Sequence, residues 1–310
     1  MSLSELNTPT VRYKDTGVSG IVSRNFTRRA FYKRVWGEVE MKSRGYFYIP
    51  ALDNEGKPQA HGKIVGRGFD KFFDTDDELS PDIEYPLTVS VKENGYLGLL
   101  FEHEGELHLW TKSGPTEYSE RAMAELRVHM SPDDEKDLIE FLATENVTVA
   151  LEVVLPREDP HLVGYDRDEL YVLAVIDNSD TFNVRWDLFE TGALYFLPLA
   201  TIWHDVERED LVQIIESLEN SELEGLVVYG ANGVMGKIKF DYYVRLKEMR
   251  KKIEKQIPAE ERTGPYWVTT PSGSKALDMP RLYVDAGGNI YDTDLEANMI
   301  ALVIGTKDDK

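Results

Sequence analysis

Apolar and alternating runs recur along the chain at "LTVSV" from Leu87, "YLGLLF" from Tyr96, "ELHLW" from Glu106 and "TVALEVVL" from Thr148. Four more follow, at "LYVLAVI" from Leu170, "FNVRW" from Phe182, "EGLVVY" from Glu224 and "MGKIKF" from Met235. Runs this short, rich in β-branched and aromatic residues, predict strands. Between them lie three helical patterns: "EYSERAMAELRVHM", "SPDDEKDLIEFLATE" and "DVEREDLVQIIESLE". In the second, Ser131 is placed to cap the helix and Pro132 takes its first position. Short strands joined by tight turns, with few helical crossovers, predict an α+β domain of antiparallel sheets flanked by helices.

After about Leu246 the texture changes to a basic helix, "RLKEMRKKIEK", then a stretch rich in Pro, Gly and Ser, a hairpin at "RLYVDAGGNIYD" and a last helix. Residues 1–247 are therefore expected to form the main domain and 248–310 a small appendage. Tyr266 and Trp267 are the aromatics in that appendage with an exposed look.

Composition narrows the chemistry. The 310 residues contain no cysteine, which excludes a disulfide scaffold, thiol catalysis, a Cys-ligated zinc and an iron–sulfur cluster. No signal-peptide core and no span of roughly 18 apolar residues is present, so a soluble cytoplasmic protein without membrane contact is expected. The formal net charge of -21 argues against a polyanionic partner, but its distribution is uneven. "RNFTRRAFYKR" from Arg24 carries five basic residues and no acidic one, whereas "DTDDELSPDIE" from Asp74 carries six acidic residues and no basic one.

Several familiar signals fail on spacing. "GANGVMGKI" is one residue too long for a phosphate-binding P-loop and has Ile238 where Ser or Thr is required. No HExxH pair or GxSxG elbow occurs, which removes the anchors for a histidine metallohydrolase or a serine hydrolase. What remains is Lys92, at the end of an apolar strand. A lysine there is either an accident of a sheet edge or an amine kept for chemistry. An unprotonated amine can attack the α-phosphorus of a nucleoside triphosphate. Such a site needs cations for the phosphates, carboxylates for magnesium, an apolar slot for the base and glycine where the backbone passes close. The pattern Lys-x-x-Gly occurs at Lys14, Lys42, Lys63 and Lys92. Only Lys92 lies on a predicted strand end and is followed, in order and on predicted strand ends, by "TKSG" with Lys112, "ALEVV" with Glu152, "LEGLVVY" with Glu224 and "KIKFDYY" with Lys237 and Lys239.

That succession resembles the covalent lysine nucleotidyltransferases, and more narrowly the ATP-dependent RNA ligases of the phage tRNA-repair type, kin to the sealing domain of fungal tRNA ligases. "GRGFDKFFD" is similar to that family's Arg-Pro-x-x-Lys-Phe-Phe-Asn signature, and "KIKFDYYV" to its Lys-x-Lys-x-Asp-x-Tyr ending. The resemblance covers about Arg24 to Tyr243 and implies an ATP-grasp-like nucleotidyltransferase domain. It makes Lys92 the nucleophile that becomes lysyl-AMP. Arg44, Lys71 and Lys237 would meet the triphosphate, Phe73 would lie beside the nucleotide, and Lys239 would touch the α-phosphate. Glu152 and Glu224 would serve the metal and ribose region, Gly95 would let the backbone approach, Lys112 would line the site, and Tyr243 would have an end-sealing or phosphate role. Two positions depart from the pattern. Asn94 stands where the family usually has Asp, and Arg24 occupies the place of a family tyrosine, where a phosphate contact is implied. The family's helical C-terminal domain is not recognisable in the tail.

The implied activity is an ATP-dependent joining of RNA 3′-hydroxyl and 5′-phosphate ends through lysyl-AMP and RNA-adenylate, with Mg2+ or Mn2+. The expected substrate is broken RNA such as a nicked tRNA, and the expected form is a monomer. No kinase or phosphatase module is visible, so a separate end-healing partner is implied. The alternatives are a capping guanylyltransferase, a DNA ligase, or a non-catalytic RNA-binding relative.

Overall fold

The computed structural model describes residues 3–156, 163, 165–190, 192–218, 221–245 and 247–248, together with the backbone of four strands between 266 and 292. The chain opens with strands β1 (Val11–Asp15) and β2 (Val22–Phe26), two short helices, α1 (Arg28–Lys33) and α2 (Glu38–Lys42), then β3 (Tyr46–Leu52) and β4 (Pro58–Arg67). These four strands form an antiparallel meander in sequence order.

Next come β5 (Phe73–Asp74), β6 (Leu87–Lys92), β7 (Tyr96–His103), β8 (Glu106–Thr111), α3 (Glu117–His129), α4 (Pro132–Glu145), β9 (Val147–Val154) and β10 (Glu169–Asp177). The chain continues with β11 (Ile202–Val206), α5 (Arg208–Leu218), β12 (Gly225–Gly230) and β13 (Met235–Lys239). Two sheets result, ordered β10-β9-β7-β8 and β11-β6-β12-β13-β5. All pairs in them are antiparallel except β13 with the two-residue β5. The expected α+β architecture is what the chain forms.

Helix α4 starts where Ser131 accepts a hydrogen bond from the Asp134 N–H, with Pro132 at the first turn. Such a cap stabilises a helix by about 1 kcal/mol. The helix ends at Asn146, whose left-handed backbone donates its N–H to the Leu142 carbonyl. Its inner face buries Leu138 and Leu142 completely against Val149, Leu151 and Val153 of β9. Each such side chain contributes roughly 1.5–3 kcal/mol. The other face of β9 turns Ala150 toward a second core with Leu99, Phe101, Val227 and Tyr229. A strand covered on both faces reads as a continuous apolar run, which is why "TVALEVVL" shows no alternation.

Two expectations are corrected. Phe182–Trp186 is not a strand. Only Val184 bridges to Ile176, and Trp186 opens a short 3₁₀ turn, with Arg185 held by Asp187 and Asp177. Phe182 and Trp186 are apolar because they pack onto the core, not because they extend a sheet. Asp205 and Val206 belong to edge strand β11 rather than to the following helix, which begins at Arg208.

In the tail, β14 (Tyr266–Thr270) pairs with β15 (Gly273–Leu277), and β16 (Leu282–Val284) with β17 (Ile290–Asp292). The second pair is the hairpin expected at "RLYVDAGGNIYD". The basic helix beyond Glu248 and the last helix lie outside the described residues, as do the side chains of Tyr266 and Trp267. No helix among the described residues is long and apolar enough to cross a membrane.

Candidate active site

Alternation along four strands builds the site. In β6, Leu87, Val89 and Val91 face the core beneath α5, so Ser90 and Lys92 face the opposite way. In β12 the same parity sends Leu226 and Val228 to that core and Val227 and Tyr229 to the inner side. Met235 of β13 joins the inner core, and Lys237 and Lys239 share its face. In β9, Glu152 lies on the face of Ala150, opposite the helix-facing Leu151 and Val153. These inward positions bound a cavity of about 200 Å³ lined by Arg44, Phe69, Phe72, Lys92, Glu152 and Tyr229, among others. It is smaller than the roughly 300–1,000 Å³ of whole-ligand pockets, a size that suits a flat ring with its polar remainder outside.

Lys92 reaches the Glu224 carboxylate at 2.9 Å and donates to the Glu93 carbonyl at 3.4 Å. Glu224 precedes β12 and would follow the outer parity if the strand continued regularly. Gly225 breaks it, with φ at +151°, and a Cβ there would sit 1.9 Å from the Ile238 carbonyl oxygen. Only glycine fits, and Glu224 is thereby turned onto Lys92. Asn94 donates through Nδ2 to Glu224 at 2.7 Å and accepts at Oδ1 from the Val163 N–H at 3.1 Å. The Tyr165 hydroxyl accepts from the Asn94 N–H and donates to Glu93. Gly95 donates its N–H to Glu152 at 2.7 Å, and a Cβ on it would stand 2.2 Å from the Val153 carbonyl oxygen.

The electrostatics are set by a surplus of cations. Asp74 is shared by Lys239, at 2.9 Å, and Lys237, at 3.7 Å. Burial, reinforced by Lys237 and Arg44, pushes the Lys71 ammonium down to about 8. Burial also lowers Lys237, with Asp74 opposing and Lys239, Lys92 and Arg44 adding to the fall. Arg44 is lowered by burial, against the pull of Glu152. Glu152 is pushed up to about 7, chiefly by burial, against Lys92 and the Gly95 N–H. The site thus holds several half-buried cations around one bridging carboxylate, and a second carboxylate that is poorly compensated.

Lys92, Gly95, Arg44 and Glu152 line one cavity, with Glu224 bonded to Lys92; Lys237 and Lys239 are gathered through Asp74, and Lys71, which donates to the Phe72 carbonyl, feels the charge of Lys237, Arg44 and Asp74. Lys112 is exposed in the loop after β8, its backbone against Gly45, next to Arg44. Phe73 is buried beside Trp36 with the Lys71 ammonium 3.7 Å from its ring centre, while Phe72 is the ring that lines the cavity. Arg24 stacks on Tyr46 at 3.8 Å within the N-terminal sheet and does not line the cavity. Tyr243 is buried with Lys247 over its ring, also outside the cavity lining. Sequence reasoning missed Phe72, Tyr229, Asp74 and Tyr165. Asp74 ends the run "GRGFDKFFD", so its place in the motif was a usable signal, whereas Tyr165 is brought in only by the fold.

Among the described residues no three His, Asp or Glu groups converge to hold a metal ion unaided. Glu152 and Glu224 supply hard oxygens next to the cationic cluster. That suits a magnesium-like ion, which takes one or two carboxylates and completes its shell with phosphate oxygens and water.

These sheets and this cleft define the ligase nucleotidyltransferase fold. The family model described as RNA ligase matches residues 42–250, and the chain belongs to that family. A protein from Aquifex aeolicus named as an ATP-dependent DNA ligase shares the fold at TM-score 0.54 and 17% identity, covering 83% of this chain and 66% of that one. An archaeal ATP-dependent RNA ligase matches at TM-score 0.52 and 16% identity, over 78% of this chain and 62% of its own. A second form of the archaeal enzyme matches at TM-score 0.50 and 17% identity, over 73% and 57%. The chain thus spans less than two thirds of the length of each of these structures. No curated protein matches it.

Proposed function

We propose that the protein is an ATP-dependent RNA ligase acting through lysyl-AMP, with residues 1–247 as the adenylyltransferase domain and 248–310 as an appendage. The observation that carries this reading is Lys92 on the wall of a cavity lined by Phe69, Phe72 and Tyr229 as well as by charged groups, beside a cluster of half-buried cations bridged by Asp74. A triphosphate supplies the negative charge that such a cluster lacks.

The base enters the slot between Phe72 and Tyr229, and Arg44, Lys71 and Lys237 take the phosphates. The Lys92 amine, having lost a proton, attacks the α-phosphorus. An N–P bond forms, the bond to the bridging oxygen breaks, and pyrophosphate leaves with that electron pair. Lys239 stabilises the charge on the α-phosphoryl oxygens. An RNA 5′-phosphate then displaces Lys92, forming RNA-adenylate. A 3′-hydroxyl next attacks the 5′-phosphate and AMP leaves, closing the strand. Glu152 and Glu224 would hold a magnesium or manganese ion, which supplies charge neutralisation on the phosphoryl oxygens. Asn94 tethers Glu224 and so fixes the Lys92 partner, while Gly95 holds Glu152 from the backbone. The cell's source of 5′-phosphate and 3′-hydroxyl ends is a separate healing activity, and a nicked tRNA is a substrate of the right kind.

The test is sealing of a nicked RNA stem-loop with 5′-phosphate and 3′-hydroxyl ends in the presence of ATP and Mg2+. Conversion of the 5′-phosphate to a phosphatase-resistant, full-length strand is expected. An RNA-independent transfer of the nucleotide with no joined product would reject the ligase step, and a preference for nicked DNA would move the substrate class.

A further inference from the structure

The outer face of the β1–β2 hairpin carries a second groove, of about 570 Å³, distinct from the nucleotide cavity. Strand alternation produces it. Val11 and Tyr13 are buried, so Arg12 and Lys14 project outward, and register places Asn25 opposite Arg12 and Ser23 opposite Lys14. Arg28 and Arg29, exposed just after Thr27, line it too, with Phe26 at the end of β2 and Ser113 from the loop after β8.

Three features make this groove unusual. No carboxylate lines it, although the whole chain has 56 acidic residues against 35 basic ones. Among the described residues none of Arg12, Lys14, Arg28 and Arg29 has a salt-bridge partner, whereas Arg34, Lys42, Arg127 and Arg185 all do. The groove also adjoins the nucleotide site. Asn25 of the groove accepts the Gly45 N–H at 3.1 Å, and Gly45 follows Arg44, which lines the cavity. Ser113 of the groove follows Lys112, whose backbone packs on Gly45.

We propose that this groove seats the phosphate backbone of single-stranded RNA leading to the end that is sealed. Four cations on one face, without salt bridges among the described residues, meet successive phosphates. The proposal rests on the ligase reading for the direction of the strand and on the charge pattern alone for the groove. All four cations come from segments before residue 42, outside the stretch that matches the family model.

The test compares the full chain with its Arg12→Gln/Lys14→Gln/Arg28→Gln/Arg29→Gln variant in binding a short 5′-phosphorylated single-stranded RNA across a salt series. At about 0.7 counterion released per neutralised phosphate, removing these four charges should reduce the slope of log K against log salt by about 3. Affinity near 0.1 M salt should then fall by about a hundredfold or more. AMP transfer from ATP to the protein should be unchanged. If neither protein forms an adduct while the slope still changes, the ligase reading fails and the groove stands. An unchanged slope overturns the proposal, as does polyglutamate binding as tight as RNA and equally weakened in the variant. If the variant melts early, ultraviolet crosslinking of 4-thiouridine RNA to the unaltered protein decides. Crosslinks to peptides holding residues 12–14 or 26–29 support the groove, and crosslinks confined elsewhere overturn it.

Discussion

Glu152→Gln should stabilise the protein at alkaline pH while abolishing its chemistry. The Glu152 carboxyl is pushed from its ordinary 4.5 up to about 7, first by burial, with Lys92, the Gly95 N–H and Arg44 opposing and Glu224 adding to the rise. An acid raised in this way stays protonated in the native protein where the unfolded chain has already ionised. It has no effect on stability below about pH 4.5 and becomes destabilising as pH rises from there through about 7. At about 1.4 kcal/mol per tenfold change in the proton equilibrium, the full displacement is worth about 3 kcal/mol. Glu152 is partly exposed, and solvent screening brings this to about 2 kcal/mol. Glutamine keeps an oxygen for the Gly95 N–H and removes the titration. The variant should therefore match the unaltered protein near pH 4 and exceed it by about 2 kcal/mol near pH 8. Thermal and urea unfolding of both proteins at the two pH values, without nucleotide, provides the comparison. Parallel unfolding at both pH values would refute the reasoning. Under the proposed mechanism adenylylation of the same variant should also fall sharply, because an amide cannot take over the metal-holding role proposed for this carboxylate.

Asn94→Asp removes the donor that faces Glu224 at 2.7 Å and sets two buried carboxylates together. A loss of about 1–3 kcal/mol is expected at pH 8, and less at pH 5 where one proton can be shared; equal stability at both would contradict the geometry. Lys239→Ala should slow lysyl-AMP formation by about a hundredfold, and raising ATP should not restore it, since the interaction removed belongs to the transition state. Because the Lys71 ammonium is lowered to about 8, ATP binding should draw a proton onto it. Affinity measured by calorimetry should then weaken by up to about tenfold per pH unit above 8, and Lys71→Ala should flatten that dependence.

What the sequence made legible follows from how local each signal is. Lys92, Lys237 and Lys239 could be placed on strand ends because an apolar run and a two-residue period survive in any context. The cap at Ser131 and Pro132 is equally local. The N-terminal sheet was not legible, because "VRYKD" and "VSRNF" hold few apolar residues and bury the polar Ser23 and Arg24. Phe72 and Phe73 are neighbours with opposite fates, one lining the cavity and one packed on Trp36, and that choice depends on β5 pairing with a strand more than 160 residues later. The tethering of Asn94 by Val163 and Tyr165 likewise joins segments about 70 residues apart, for which the sequence carries no periodic trace.

The claim at the centre of this account is that Lys92 becomes covalently attached to AMP. Incubation of the purified protein with ATP and Mg2+, followed by intact mass measurement and peptide mapping, tests it most directly. The expected result is a mass increase of one AMP, acid-labile and base-stable, mapped to Lys92 and absent from Lys92→Ala. An adduct on Lys63 or any other residue, or one that persists in Lys92→Ala, would contradict it.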